Sequence, residues 1–304
     1  HHGHPHAGRR GPMVKTYGDL FLAARRALIA SQGENAAPYA RLLLSQLSGK
    51  TQAKLIADHS DPAPEALEEQ LAAALARLDA GEPLAYLLGR WSFYGMDLIV
   101  TPDVLIPRDD TMAVTDLAIL HLRQLAPPQR VLDLCTGSGC IGLAIANHVP
   151  TARVSLCDVS PAALRVARQN TAQQKLAGRV HCLLGDARQK APEFWGKFSL
   201  IVSNPPYVTR EEMTQLDASV KDYEPHLALD GGADGLDFYR LILRNFTSAL
   251  QPGGYLCLEF GMGQEHAVGE LLHAHGYDTL RFVRDLRGVI RAVSARLPEI
   301  KTNV

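Results

Sequence analysis

The sequence of 304 residues lacks a long apolar segment. No stretch approaches the roughly 20 apolar residues that a membrane-spanning helix requires, so we expect no membrane partner. Charge of one sign is not in excess either, because 31 lysines and arginines stand against 32 aspartates and glutamates, which gives a net charge of −1. This balance argues against a broad basic surface but leaves room for a local patch. We expect no direct binding of nucleic acid.

Cysteine is also scarce. The five cysteines are odd in number, and no two of them form a CxxC pair. The pattern argues against a metal site and a disulfide framework, and it indicates reduced thiols in a cytoplasmic protein. The proportions of hydrophobic residues (46%) and charged residues (21%) are those of a globular chain. We expect no bound metal and a monomeric protein.

The first twelve residues differ from the rest of the chain. They carry four histidines within six positions and no apolar core of the kind that a signal peptide needs. We interpret residues 1–12 as a tag remnant outside the fold, with Met13 as the native start. The alternative is a natural histidine-rich tail.

Three regions follow. Residues 13–90 are predicted to form a helical domain, because leucines repeat there at helical spacing. Such a bundle is either a packing module or a substrate-recognition domain. Residues 91–111 contain strand-like runs and turn signals, which predict a linking β-hairpin. Residues 112–304 alternate short apolar strands with helices, which indicates βαβ units in a mostly parallel sheet.

A glycine-rich loop follows the first strand of this alternating region. It contains Gly137, Gly139 and Gly142 in the spacing GxGxxG, and Asp158 lies 19 residues after Gly139 at the end of the next strand. Glycines let a ligand approach the backbone closely, and a carboxylate at that strand end can hold ribose hydroxyls. The pattern therefore allows an NAD-dependent oxidoreductase.

An acid ahead of the glycines favours a different ligand. Asp133 would repel nucleotide phosphates, but it would attract a ligand that carries a cationic amino group and a sulfonium. S-adenosylmethionine (SAM) is such a ligand. Taken alone, Asp133 is also explained as a loop acid and Asp158 as a helix cap.

The fourth predicted strand runs directly into Asn204, Pro205, Pro206 and Tyr207. Proline cannot continue a central strand, so the backbone leaves the sheet here and nearby carbonyls stay free as acceptors. The side-chain carbonyl of Asn204 is a second acceptor, and the ring of Tyr207 offers an aromatic face. Two acceptors and a ring suit a planar NH2 group, whose nitrogen they can aim at a methyl donor.

These motifs resemble those of a known enzyme family. The loop at residues 133–139, Asp158, Asp186 and residues 204–207 are similar to motifs of class I SAM-dependent methyltransferases that methylate amino groups. Further segments resemble the HemK-type protein-(glutamine-N5) methyltransferases, in the release-factor branch, and they lie at residues 105–108, 223–225, 228–232 and 234–236.

The resemblance implies a fold, a cofactor and a substrate. The fold would be a class I, Rossmann-like α/β methyltransferase with a mostly parallel seven-stranded sheet whose last strand is antiparallel, preceded by a small helical bundle and a β-hairpin. The methyl donor would be SAM, with S-adenosylhomocysteine as product. The substrate would be the Gly-Gly-Gln glutamine of class 1 peptide-chain release factors, which act in translation termination. Residues 112–304 would be the methyltransferase domain, and residues 13–90 would recognise the substrate.

The resemblance also implies a role for each matched residue. The catalytic residues, which hold the glutamine amide, would be Asn204, Pro205, Pro206 and Tyr207. The cofactor would contact a larger set, made up of Asp133, Cys135, Thr136, Gly137, Ser138, Gly139, Asp158, Asp186, Ala187 and Asn204. Within this set the glycine loop would hold the methionine end, Asp158 the ribose, and Asp186 with Ala187 the adenine.

Some features leave alternatives open. Cys135 stands where the family usually has glycine, and Ala187 where some members have an aromatic residue. Arg108 would either contact substrate or lock the hairpin. A sister branch methylates a ribosomal protein of the large subunit, and DNA or RNA amino-methyltransferases use a similar Asn-Pro-Pro-Tyr motif because adenine also carries a planar NH2 group. The oxidoreductase interpretation is disfavoured by Asp133.

Overall fold

The computed structural model describes residues 14–299. The predicted tag at residues 1–12, Met13 and residues 300–304 lie outside this described part. The chain divides into two compact units at the bond between Leu88 and Gly89. No helix among residues 14–299 has both the length and the apolar character needed to cross a membrane.

The first unit is built from helices. Thr16 caps the first helix, because its hydroxyl accepts a hydrogen bond from the amide of Asp19 and its own amide donates to the Asp19 carboxylate. Several leucines of the helical pattern are buried, among them Leu43, Leu67 and Leu71, whereas Leu42 is exposed. The helices of this unit are α1 (Tyr17–Gln32), α2 (Ala36–Ser48), α3 (Gln52–Ala57), α4 (Glu65–Asp79) and α5 (Leu84–Leu88).

The second unit begins with the predicted hairpin, formed by β1 (Arg90–Phe93) and β2 (Met96–Ile99). Tyr94 and Gly95 connect the two strands, and both have positive φ, as two-residue hairpin turns require. Asn170 fixes the far end of the hairpin, because its carboxamide pairs with both the N–H and the C=O of Ile99.

The rest of the second unit is a seven-stranded sheet with helices on both faces. In chain order its strands are β3 (Arg130–Leu134), β4 (Arg153–Asp158), β5 (Val180–Leu184), β6 (Phe198–Ser203), β7 (Leu250–Glu259), β8 (Asp278–Arg284) and β9 (Ile290–Arg296). The helices are α6 (Met112–Leu122), α7 (Cys140–His148), α8 (Pro161–Gln173), α9 (Arg210–Met213), α10 (Ala218–Lys221), α11 (Asp237–Phe246) and α12 (Glu265–Ala274).

The order of the strands is β5-β4-β3-β6-β7-β9-β8, and β9 is antiparallel to both of its neighbours. The predicted class I methyltransferase fold is therefore confirmed. All six residues of β6 are buried, which accounts for the predominance of apolar residues in its sequence. The chain reverses its direction of strand addition between β3 and β6, and open α/β sheets bind their ligands at such a point.

Candidate active site

A cavity of about 220 Å³ lies at the carboxyl ends of β3, β4 and β6. It is formed by segments that are far apart in the chain. The lining residues are 102–108, Thr111, 134–138, Cys140, Ile141, 157–160, Ala163, 185–188, Asn204, Pro206, Pro225, Leu227, Ala228 and Phe238.

The glycine loop is held from below by Asp133. This side chain is fully buried, and its Oδ2 accepts hydrogen bonds from the Thr136 hydroxyl (2.7 Å) and the Gly142 amide (3.0 Å). Burial raises the pKa of Asp133 to about 7, although these two donors act in the opposite direction. Asp133 is not among the residues that line the cavity, and its Oδ1 is buried without a hydrogen-bond partner among residues 14–299. Its Oδ2 supports the shape of the loop, and the predicted contact with the cofactor stays a prediction.

Three residues of the loop have a left-handed backbone. Gly137 and Gly139 have φ of +55° and +89°, which glycine adopts without a steric penalty. Cys135 has φ of +59°, a conformation that costs an L-residue about 1–2 kcal/mol. The change from the family's usual glycine at this position therefore affects the backbone as well as the side chain. Gly139 lies behind the lining, where a Cβ would come within 3.1 Å of Leu156.

Asp158 faces the cavity from the end of β4. Its Oδ2 accepts from the Gly137 amide (2.9 Å) and its Oδ1 from the Ser160 amide (3.0 Å). Burial raises its pKa, and these backbone donors limit the rise. Each carboxylate oxygen has room for a second donor, so both can still accept from neighbouring hydroxyls of a ligand.

Asp186 and Ala187 line the next part of the cavity, beyond β5. Burial opposes ionisation of Asp186, but the amide and guanidinium of Arg188 outweigh it and lower the pKa of this carboxyl. Ala187 is buried, and its carbonyl accepts from the Asn245 side chain (2.9 Å). These residues supply a carboxylate beside an apolar wall that also includes Phe238.

Asn204 closes the cavity at the end of β6. Its Oδ1 is buried and has no hydrogen-bond partner among residues 14–299. A buried acceptor without a donor is costly, so such a group is often reserved for a ligand. Pro206 lines the cavity beside it.

The other two residues of this motif, Pro205 and Tyr207, are not among the residues that line the cavity. Pro205 is buried outside the lining. The hydroxyl of Tyr207 donates to Glu259 Oε2 (3.1 Å). Tyr207 is not among the residues that line the cavity, and the aromatic platform expected from the sequence stays a prediction.

Glu259 and Glu224 were not singled out by the sequence. Glu259 ends β7 and is buried. Glu224 is also buried and accepts from both ends of the Arg108 guanidinium, at 2.7 and 2.5 Å, and from the Ile106 amide at 2.9 Å. Arg108 therefore ties residues 105–108 to the loop that follows Glu224. Each residue has one signal in the sequence. Glu259 is an acid at the end of an apolar strand, and Glu224 lies within the segment 223–225 that resembles the family.

The thiols near the loop are held in the protonated form. Burial raises the pKa of Cys140 and of Cys157 to about 12, and it raises the pKa of Cys135 further. They therefore act as small packing groups and not as nucleophiles.

The residues that form the cavity fit SAM. Asp158 offers carboxylate oxygens for ribose hydroxyls, and Gly137 has open space in front of its backbone, where a Cβ would meet nothing within 4 Å. Of the ten predicted cofactor residues, all but Asp133 and Gly139 line the cavity. The buried Asn204 oxygen has no partner among residues 14–299 and is able to accept a hydrogen bond.

Comparison with known proteins agrees with this geometry. Residues 110–232 match the family described as Methyltransferase small domain, and residues 19–89 match the PrmC N-terminal domain. The chain is 40% identical over 280 residues to a release factor glutamine methyltransferase of Cereibacter sphaeroides, covering 92% of this chain and 98% of the relative. It is 38% identical to one of Geobacter sulfurreducens, covering 90% and 94%.

A solved structure is similar in fold. The hMettl16 catalytic domain, in complex with MAT2A 3'UTR hairpin 6, superposes with a TM-score of 0.53 at 14% identity, covering 69% of this chain and 77% of that one. This likeness shows the methyltransferase fold alone. The relatives above match nearly the whole length of the chain, and their activity excludes the oxidoreductase interpretation. The chain therefore belongs to the release factor glutamine methyltransferase family, whose methyl donor is SAM.

Proposed function

We propose that this protein methylates the side-chain amide nitrogen (N5) of the glutamine in the Gly-Gly-Gln loop of class 1 peptide-chain release factors. The observation that carries the proposal is Asn204, which lines the cavity and whose buried Oδ1 has no partner among residues 14–299. Release factors act with the ribosome, so we place the enzyme in the cytoplasm, and we expect it to act as a monomer.

The amide nitrogen is a poor nucleophile because its lone pair is delocalised into the carbonyl. Asn204 Oδ1 would accept one N–H of the glutamine, and the carbonyl of Pro205 would accept the other. Held in this way, the nitrogen is aimed at the methyl group, and the two dipoles stabilise the positive charge that develops on it. The nitrogen gains the methyl group and releases a proton to solvent, so no strong base is required.

The cofactor would be held by three parts of the cavity. Bound SAM supplies a methyl group on a sulfonium, which leaves as a neutral thioether. The loop at residues 135–138 would hold the methionine end, Asp158 would accept from the ribose hydroxyls, and Asp186 with Ala187 would border the adenine. Asp133 keeps this loop in shape from beneath, through Thr136 and Gly142.

We also propose that residues 13–90 recognise the body of the release factor, and that residues 112–304 carry the chemistry. The cavity residues all belong to the second unit. The helical unit is therefore free to contact parts of the substrate other than the glutamine loop.

The test is a transfer assay with labelled SAM, offered in parallel to purified release factor, to ribosomal proteins and to nucleic acid. Peptide mass spectrometry should locate one added methyl group on the Gly-Gly-Gln glutamine. A release factor with that glutamine replaced by alanine is the matched control and should take up no label. Label on ribosomal protein or nucleic acid, with none on release factor, would refute the proposed substrate.

A further inference from the structure

Tyr207, the last residue of the Asn-Pro-Pro-Tyr segment, is held at both its side chain and its backbone. Its hydroxyl donates to Glu259 Oε2 (3.1 Å), and its carbonyl accepts from Gln264 Nε2 (3.2 Å). Both partners lie on or just after β7, more than fifty residues further along the chain. The side chain is thus fixed at one end and the backbone at the other.

Three glycines leave no space around Tyr207. A Cβ on Gly231 would lie 2.7 Å from Tyr207 Cα, and one on Gly235 would lie 2.5 Å from the Tyr207 carbonyl oxygen. A Cβ on Gly261 would lie 3.0 Å from the ring. The loops before α11 and before α12 therefore pack closely against Tyr207. This contact is possible because these three positions are glycines and carry no side chain.

Glu259 is itself firmly held. Its Oε1 accepts from the Thr111 hydroxyl (2.6 Å), and its backbone carbonyl accepts from the Tyr239 hydroxyl (2.7 Å). The charged groups that face its carboxyl are Arg291 on β9 and Asp110 before α6, and these two pair at 3.7 Å. The carboxyl is therefore a fixed point to which Tyr207 is attached.

The acceptor segment needs such an attachment. Pro205 and Pro206 have no N–H, so this stretch cannot be held in place by backbone donors. A pair of acceptors that aims a nitrogen must nevertheless stay within about 0.5 Å of its productive position. A side chain anchored immediately after the two prolines meets that need.

We propose that Tyr207 and Glu259 form an anchor that positions the Asn204 and Pro205 acceptors, and that the Tyr207 ring is not a stacking surface for substrate. Neither residue touches the reacting atoms, so both are positioning residues. This inference rests on the proposed glutamine methylation and assigns a role to Glu259 and a different role to Tyr207 within it.

The decisive variant is Tyr207→Phe, because it keeps the ring and removes only the hydroxyl. If the anchor is real, kcat for release factor should fall about tenfold, the equivalent of one net hydrogen bond, while the Kd for SAM changes less than twofold. A stacking ring predicts the opposite result, which is an unchanged kcat. Hydrogen exchange at the Tyr207 and Val208 amides should become faster in the variant, and this measurement does not depend on activity.

Glu259→Leu removes the other side of the same bond with little change in volume. Both substitutions break the bond between Tyr207 and Glu259, and Glu259→Leu also removes the bond from Thr111. The double variant should therefore lose no more kcat than Glu259→Leu alone. Tyr277→Phe is the matched control. Its hydroxyl pairs with Thr247 (2.9 Å), and Tyr277 is buried and lies outside the cavity lining, so the variant should lose stability without losing kcat.

A Tyr207→Phe enzyme with wild-type kcat would overturn the anchor, as would losses that add fully in the double variant. A loss in the Tyr277→Phe control equal to that in Tyr207→Phe would also overturn it, because general destabilisation would then explain both. Failure of the proposed function looks different: the wild-type protein itself would transfer no methyl group to release factor.

Discussion

Replacing Asn204 by alanine separates catalysis from stability, because the structure predicts effects of opposite sign. In the free protein Asn204 Oδ1 is buried without a partner among residues 14–299, so alanine removes an unsatisfied acceptor and breaks no internal hydrogen bond of that oxygen. Burying such an acceptor costs about 1–3 kcal/mol. The side chain is only half-buried as a whole, so we expect the free energy of unfolding to stay the same or to rise by up to about 1 kcal/mol.

Turnover should move the other way. Loss of one positioned group that stabilises developing charge lowers kcat by about 10²–10³-fold, or about 2.7–4 kcal/mol of transition-state stabilisation. Single-turnover methylation of release factor measures this term, urea titration measures stability, and calorimetry checks that SAM still binds. Asn204→Asp keeps an acceptor and is expected to retain more activity than alanine.

Two outcomes would contradict the reasoning. A folded, SAM-binding Asn204→Ala protein with near-normal turnover would show that the oxygen does not hold the acceptor nitrogen. A loss of stability above about 1 kcal/mol would show that the oxygen has a structural partner instead.

Four further predictions follow from the cavity and the first unit. Asp158→Ala should weaken SAM binding about ten- to 150-fold, measured by calorimetry, because it removes hydrogen bonds of about 1.5–3 kcal/mol to a charged acceptor. Cys135→Gly should unfold at an equal or higher temperature than wild type, whereas the β-branched Cys135→Val should unfold lower, because φ at this position is +59°. The pKa of Asp133 is raised to about 7 in the folded protein from an ordinary value near 3.9. Its contribution to stability is therefore present below about pH 4 and is lost as the pH rises to about 7. In urea titrations, the free energy of unfolding of Asp133→Asn should fall less over this pH range than that of the wild type. Deletion of residues 13–88 should preserve SAM binding but abolish methylation of intact release factor, and full activity of the truncated protein would contradict the recognition role.

The sequence was sufficient to predict the fold and many of the residues that line the cavity. Strand ends are visible in sequence, and parallel strands bring their carboxyl ends to one edge, so Gly137, Asp158 and Asn204 could be placed together from their spacing alone. The same reasoning does not say which way a side chain points at a strand end. Asp133 was expected to face the ligand, but it does not line the cavity; the Thr136 hydroxyl and the Gly142 amide donate to its Oδ2, while its Oδ1 is buried without a partner among residues 14–299.

Long-range contacts account for the other differences. The orientation of Tyr207 depends on Glu259, which is 52 residues away, and on glycines in two later loops. The partner of Arg108 is 116 residues away. No local pattern encodes such pairings, because each depends on the register of the finished sheet.

The ion pair between Arg108 and Glu224 has a consequence for how the chain resists proteases. It joins residues 105–108 to the loop that contains Glu224, and both segments contribute residues to the cavity that we propose holds the cofactor, so opening either one exposes that cavity. Bound SAM therefore opposes the opening of both, by about 2.7 kcal/mol when the free cofactor is at 100 times its Kd. When cofactor is added, cleavage at the two segments should slow by equal factors. Limited proteolysis therefore measures the fraction of enzyme that has bound SAM.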